Sequence, residues 1–559
     1  MKGLIKLLAI LAMLMPTLMA GDKDKKIEEL EKRIQKLERN KALDRIEFTG
    51  DLRVTADSID ATMAAHYDGM VIQKGMVDTL FYYGSTGMFP MNGLSDVNAY
   101  IAQNYSNYLY FKEGVTFDYL KQAMGMFDAQ SMQMLMGMLM PGAYVPEQDY
   151  SNSIAYTTKL RLNMRAKVMD NIKFTGRLAM YKAWGDSTGV QVFNGQPNSF
   201  TIDGTNAGTP NSDILRVERA YFDWSHLGGS DWYLSIGRRP STEGPPLHNR
   251  ESELRQGTPT GHLVNFQFDG VTIGTHYGEN NAAFRFCYGV GFESGIGSAD
   301  QLRAPADRLK DVHMGGINWD IYNGDYMKLQ TTVMGAWDIT DGFNGLVVMP
   351  NNVVTGDPVP GPMIMRFTPS TNLGDFYMGS VVLERDETYF TWFASLAFSQ
   401  SKPNDQTTPF GGLLSDPFDV PEDQDGYSYY VGVTAPVGTL NLGLEYNYGS
   451  EYWFNFTQGA DDLVASKLAT RGSVFELYMI KNFVKGLGRA RAKLKLSAML
   501  YDYEYSGSGW QVGAPKELVD TDAASFGQLS MAEMMSVPML GFTTYKDILD
   551  IRSALIVKF

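Results

Sequence analysis

Cysteine is nearly absent from this chain. Cys287 is the single one in 559 residues, so no internal disulfide can form and an exported fold held by bridges is excluded. Cys-x-x-Cys-His does not occur, which excludes a c-type haem. Histidine is scarce too: His66, His226, His248, His262, His276 and His313 show no zinc-type spacing. No Gly-x-Ser-x-Gly elbow or phosphate loop is present, so the sequence carries no enzyme signature and implies no cofactor. The net charge of -15 argues against a nucleic-acid partner. Long apolar runs are missing as well. A membrane helix needs about 20 apolar residues, and no segment after the N-terminus approaches that. If such a chain crosses a membrane, it must do so as a β-barrel. The composition permits this, because 44% apolar residues suffice when the lipid face is carried by alternation. Aromatic residues are plentiful, with 31 tyrosines, 30 phenylalanines and 8 tryptophans.

Residues 1–20 read as a signal peptide. Lys2 and Lys6 give a basic start, Leu4 to Met15 is apolar, and Pro16 precedes the small-residue cleavage site Leu18-Met-Ala20. Residues 21–45 are dense in Lys and Glu, and Ile27, Leu30, Ile34 and Leu37 form a 3-4-3 seam. Within them Arg33-Ile-Gln-Lys-Leu-Glu38 resembles the trimerisation signature of short coiled coils, which implies that Arg33 and Glu38 pair between neighbouring helices. A solvated amphipathic helix is the alternative, since isolated helices this short are marginal in water.

From Ile46 the pattern has period two, and residues 46–559 read as one barrel domain. Leu160, Leu162, Met164, Ala166 and Val168 fall on one face, and Lys159, Arg161, Asn163, Arg165 and Lys167 on the other. Further strands are expected at 172–184, 214–224, 231–239, 263–275, 282–292, 312–322, 325–337, 376–385, 388–400, 427–436, 438–449, 472–483, 489–505 and 548–559. A partly helical insert is expected over 55–151. The connections run short, long, short, long, which a soluble sandwich has no reason to do and a transmembrane barrel does. The fold class expected is all-β: an antiparallel up-and-down β-barrel of about sixteen strands with a short N-terminal coiled coil.

The last strand, Leu549 to Phe559, resembles the closing strand of bacterial outer-membrane barrels, which implies that Phe559 is read by the barrel-assembly machinery. Phe48-Thr-Gly-Asp-Leu-Arg53, Ile236-Gly-Arg-Arg-Pro240 and Phe268-Asp-Gly-Val271 are similar to phrases of Gram-negative outer-membrane porins with an N-terminal coiled coil. That resemblance implies export through the periplasm to the outer membrane and a homotrimer. It also implies passive diffusion of small hydrophilic solutes or ions. Two rivals stand beside it. One is a plugged, substrate-specific channel for apolar compounds. The other is a structural tether that reaches the cell wall through the coiled coil.

Selectivity would reside on the lumen face. Arg491, Lys493 and Lys495 share one face of their strand, and in an up-and-down barrel Arg552, Arg53, Lys159, Arg161, Arg165, Lys167 and Arg177 follow on neighbouring strands. These residues make a basic wall, from which an anion preference is expected; the alternative is that its lower members are rim charges, or that the wall pairs with acids across the lumen. In porins the third long loop folds inward. Here that resemblance makes Glu243, Glu251 and Glu253, in the 240–262 loop, candidates for a constriction. Three readings compete for the Met-rich run at Met132–Met140: a packed lid or plug, an apolar contact surface, or thioether ligation of Cu(I).

Overall fold

The computed structural model describes residues 46–185, 210, 212–280, 282–296, 302–341, 371–457, 461–483, 491–541 and 544–559. The expected signal peptide and the coiled coil, with its trimerisation residues, lie outside them.

Among the described residues, sixteen strands form one closed barrel. In chain order they are β1 (Ile46–Met63), β2 (Gln148–Met169), β3 (Ile172–Ala183), β4 (Ser212–Trp224), β5 (Trp232–Arg238), β6 (Asp269–Tyr277), β7 (Ala282–Phe292) and β8 (Val312–Asn323). They continue with β9 (Met327–Thr340), β10 (Asn372–Asp386), β11 (Thr391–Pro403), β12 (Gln424–Val437), β13 (Leu440–Gly449), β14 (Gly472–Asn482), β15 (Arg491–Tyr503) and β16 (Tyr545–Lys558). Each strand pairs antiparallel with its sequence neighbours, and β16 closes on β1, placing Arg552 opposite Asp57. Closure leaves no unpaired edge, as a hydrocarbon surround demands.

Alternation gives the wall its two faces. On β11, Ser395 is fully buried inside while Leu396 is 67% exposed outside. Val333, Leu477, Leu500 and Ile551 are likewise exposed on neighbouring outward positions. An apolar band of this kind marks a lipid-facing surface, not a solvated one. Trp224 and Trp232 flank the 225–231 turn and are half exposed, as interfacial rings are.

Connection lengths sort by rim. On one rim the longest connection is 483–490; on the other the shortest is 293–311. Phe559 is bonded to Gly50 through both backbone groups, at 2.8 and 2.9 Å, so the barrel closes at the short-turn rim.

Two strand boundaries differ from expectation. β1 continues to Met63 and β2 begins at Gln148, so the insert is 64–147 and not 55–151. The polar residues of the extra stretch misled the pattern. Thr55 and Asp57 point inward, where Thr157 and Arg552 satisfy them. The strand expected at 263–275 begins only at Asp269. Val264, Phe266 and Phe268 alternate because they pack inside the barrel, not because they belong to its wall.

The insert is helical and sits at the long-connection rim. It comprises α1 (Gly69–Thr86), α2 (Leu94–Gln103), α3 (Tyr105–Gly114), α4 (Phe117–Met124) and α5 (Ala129–Ala143). Asp68 caps α1, accepting from the Met70 amide at 2.8 Å. The Met-rich run is α5. Leu135, Leu139 and Ala143 are buried against α1, and Met132, Met136, Met138 and Met140 pack round the same cluster. Met thus fills an irregular apolar gap. The Tyr144 hydroxyl donates to the Ala523 carbonyl at 2.7 Å, tying the insert to the last long connection.

Candidate functional site

β15, β16, β1, β2 and β3 are consecutive round the barrel, so the basic residues of the five strands do form one sector. Arg53 is half-buried, and Lys159, Arg161, Arg177, Lys493, Lys495 and Arg552 are buried on its inner face. Arg165, Lys167 and Arg491 are exposed towards the short-turn rim, and Lys167 pairs with Asp170 in the adjoining turn at 2.7 Å.

Two long connections enter the lumen and meet this wall. The first, between β5 and β6, carries the short helix α6 (Leu247–Arg250). Its Glu243 is ion-paired with Arg161, with Arg177 at 3.2 Å and with Arg219 at 3.3 Å. Glu251 meets Lys495 at 3.1 Å, and Glu253 meets both Lys493 and Lys558 at 2.7 Å. Lys558 precedes the terminal residue, and Ser252 lies 3.4 Å from Asn441 just past the 438–439 turn. The connection therefore reaches down to the short-turn end. Opposite the basic wall it is held as well. Arg255 pairs with Asp320 on β8 at 2.8 Å, and Asn249 donates to Glu384 on β10 at 2.8 Å. The His262 ring bonds Ser395 on β11 and Ser428 on β12.

The second inward connection joins β13 to β14. Its Asp461 meets Arg53 at 3.1 Å and also pairs with Lys159. Lys467 lies between Glu445 and Glu476, while Arg250 reaches Asp462 and Glu476 at 2.7 Å. Trp453, Phe454 and Phe456 complete an apolar core inside the barrel with Leu263, Val264 and Phe266. This half of the lumen is packed like a protein interior.

What remains between the wall and the first connection is a cavity of ≈100 Å³. Seven Lys or Arg side chains line it, against the five carboxylates of Asp51, Glu243, Glu251, Glu253 and Asp461. Burial works to raise the carboxyls of Glu243 and Asp461, but the facing cations override it and hold both far below the usual range. For His262 burial dominates and pushes the imidazole down to about 3, so it remains neutral between its two serines.

Sequence reasoning gathered the cations and missed most of their partners. Glu218 on β4 is fully buried, 3.1 Å from both Arg161 and Arg177. Glu445 and Glu476 occupy inward positions of β13 and β14 that strand parity alone would have flagged. Asp461 and Asp462 carried no such signal, because a loop has no period.

Residues 149–559 match the model of a family described as "Protein of unknown function (DUF3373)". The chain belongs to that family. The DUF3373 match starts within β2, leaving the helical insert outside it. No curated protein matches the chain. Among solved structures it is similar to an anion-selective porin from Comamonas acidovorans, with 10% identity, covering 92% of this chain and 99% of that one at a TM-score of 0.39. It is also similar to OprB from Pseudomonas putida at high pH, with 8% identity, coverage of 93% and 96%, and a TM-score of 0.36. A third is OmpF from Salmonella typhi in complex with daunomycin, with 7% identity, coverage of 92% and 97%, and a TM-score of 0.38.

Proposed function

We propose that this DUF3373 protein is an outer-membrane channel through which small hydrophilic solutes or ions diffuse passively. The observation that carries this reading is a closed sixteen-strand barrel with an apolar outer face, whose inner charged groups line a cavity of ≈100 Å³ against an inward connection. Loop 239–268 is the constriction, and Glu243, Glu251 and Glu253 are its fixed charges. The basic wall carries its own counter-charges, so the field there is largely balanced. The remaining excess of cations in the lining gives a weak preference for anions. Assembly through recognition of Phe559 and a trimer held by residues 21–45 belong to the same proposal.

The plugged-channel reading has one observation in its favour. The inward connections are fastened to both sides of the lumen, so their movement would precede any passage. In that case the pair of loops forms a plug, alone or with the insert. Liposome swelling separates the two. A constitutive channel admits small sugars such as arabinose at once. Swelling absent with every sugar tested, in vesicles shown to hold folded protein, would sink the constitutive channel.

A further inference from the structure

Two carboxylates, one from each inward connection, share a backbone conformation that side chains rarely adopt. Glu243 has a φ of 61° and Asp461 a φ of 66°, both in the left-handed region. A Cβ is disfavoured there, and glycine is the default choice. Such strain persists only where the surrounding structure holds it, and it clusters at functional sites. Here both positions carry an acid, and both acids meet the basic wall. They converge on Arg161, Glu243 in an ion pair and Asp461 at 3.8 Å.

The second connection is positioned by bonds that do not involve the Asp461 carboxylate. Val264 and Phe456 bridge the two connections. The Asn265 amide donates to the Phe456 carbonyl at 2.7 Å, and the Phe456 amide to the Leu263 carbonyl at 2.8 Å. Arg250 of the first connection pairs with Asp462 of the second at 2.7 Å. Arg552 on the wall donates to the Asp461 backbone carbonyl at 3.2 Å. The Asp461 carboxylate is then left to the wall, pairing with Arg53 at 3.1 Å and with Lys159. Its side chain stays 20% exposed and lines the ≈100 Å³ cavity, so an ion there meets its charge.

We infer that Asp461 is a charge-selectivity residue, set against Arg53, Lys159 and Arg161 by the second inward connection. This rests on the channel reading and extends it: both inward connections fix the charge of the lining, not residues 239–268 alone. Neutralising Asp461 leaves four carboxylates against the seven cations of the lining. Charge in a confined section with low-dielectric walls acts strongly on passing ions.

The test is the reversal potential of the full-length protein in planar bilayers under a KCl gradient. Asp461→Asn removes the charge and keeps a residue that tolerates the left-handed conformation. Asp461→Gly removes the charge and relieves the backbone as well. Expected in both is a severalfold rise in the chloride-to-potassium permeability ratio. Adding Lys159→Gln to Asp461→Asn should bring the ratio back towards the wild type, which a purely structural role for Asp461 would not do. An unchanged ratio in both single variants overturns the inference, as does a double variant no closer to the wild type than Asp461→Asn. Absence of any conductance from folded wild-type protein overturns the channel reading, and this assignment with it.

Discussion

Lys493 on β15 donates to Glu253 at 2.7 Å, fastening an inward connection to the barrel wall near the short-turn end. The same carboxylate holds Lys558. Removing it would free two cations that line the ≈100 Å³ cavity. Glu253→Gln combined with Glu251→Gln should therefore shift the reversal potential under a KCl gradient towards anions. An unchanged potential would mean that these charges do not line the ion path.

Leu396 tests the lipid face. Arginine there should cost roughly 2–4 kcal/mol, the penalty for a cation near the bilayer midplane. Urea titration in vesicles measures it. A loss below about 0.5 kcal/mol, within the ordinary scatter of surface substitutions, would place Leu396 in water.

Gly50 tests the closing seam. A side chain at that position would have its Cβ 2.5 Å from the Phe559 ring. Gly50→Val should destabilise the barrel by about 1–3 kcal/mol, as overpacking does, and the loss should shrink in a Phe559→Ala background. Refolding into vesicles gives both values without the assembly machinery. Additive losses in the double variant would refute the contact.

Acid should release the constriction only late. Burial acts to raise the Glu251 carboxyl, but Lys495 and Lys493 outweigh it and bring it down to about 2. A folded value below the unfolded one contributes stability that is present above the usual carboxylate range and lost as pH falls through about 2. Single-channel conductance should then hold steady from about pH 7 to about pH 4. A step to larger conductance near pH 5 would contradict this.

The barrel was legible because its signal is local. Each strand carries its own period, as Lys159 to Val168 shows, and each turn is short enough to read. The five-strand basic sector followed from parity plus neighbour order. What closed over it was not legible. Lys159 and Asp461 are 302 residues apart in the chain, and nothing local links them. Residues 263–268 misled for a related reason. Apolar alternation looks the same whether it meets lipid outside or Phe456 inside. Thr55 to Met63 erred the other way, since an inward face such as Asp57 can be polar throughout.

In the proposed channel the connection between β5 and β6 sets the conductance. Its ends are adjacent, since the Arg239 amide donates to the Phe268 carbonyl at 3.3 Å, so a short Gly-Ser turn can replace residues 241–265. The decisive measurement is single-channel conductance in planar bilayers for the wild-type protein and this loop-replaced form. Small ohmic steps are expected for the wild type and severalfold larger ones for the replacement. Equal conductance in the two, or none from a loop-replaced barrel shown to be folded, would contradict it.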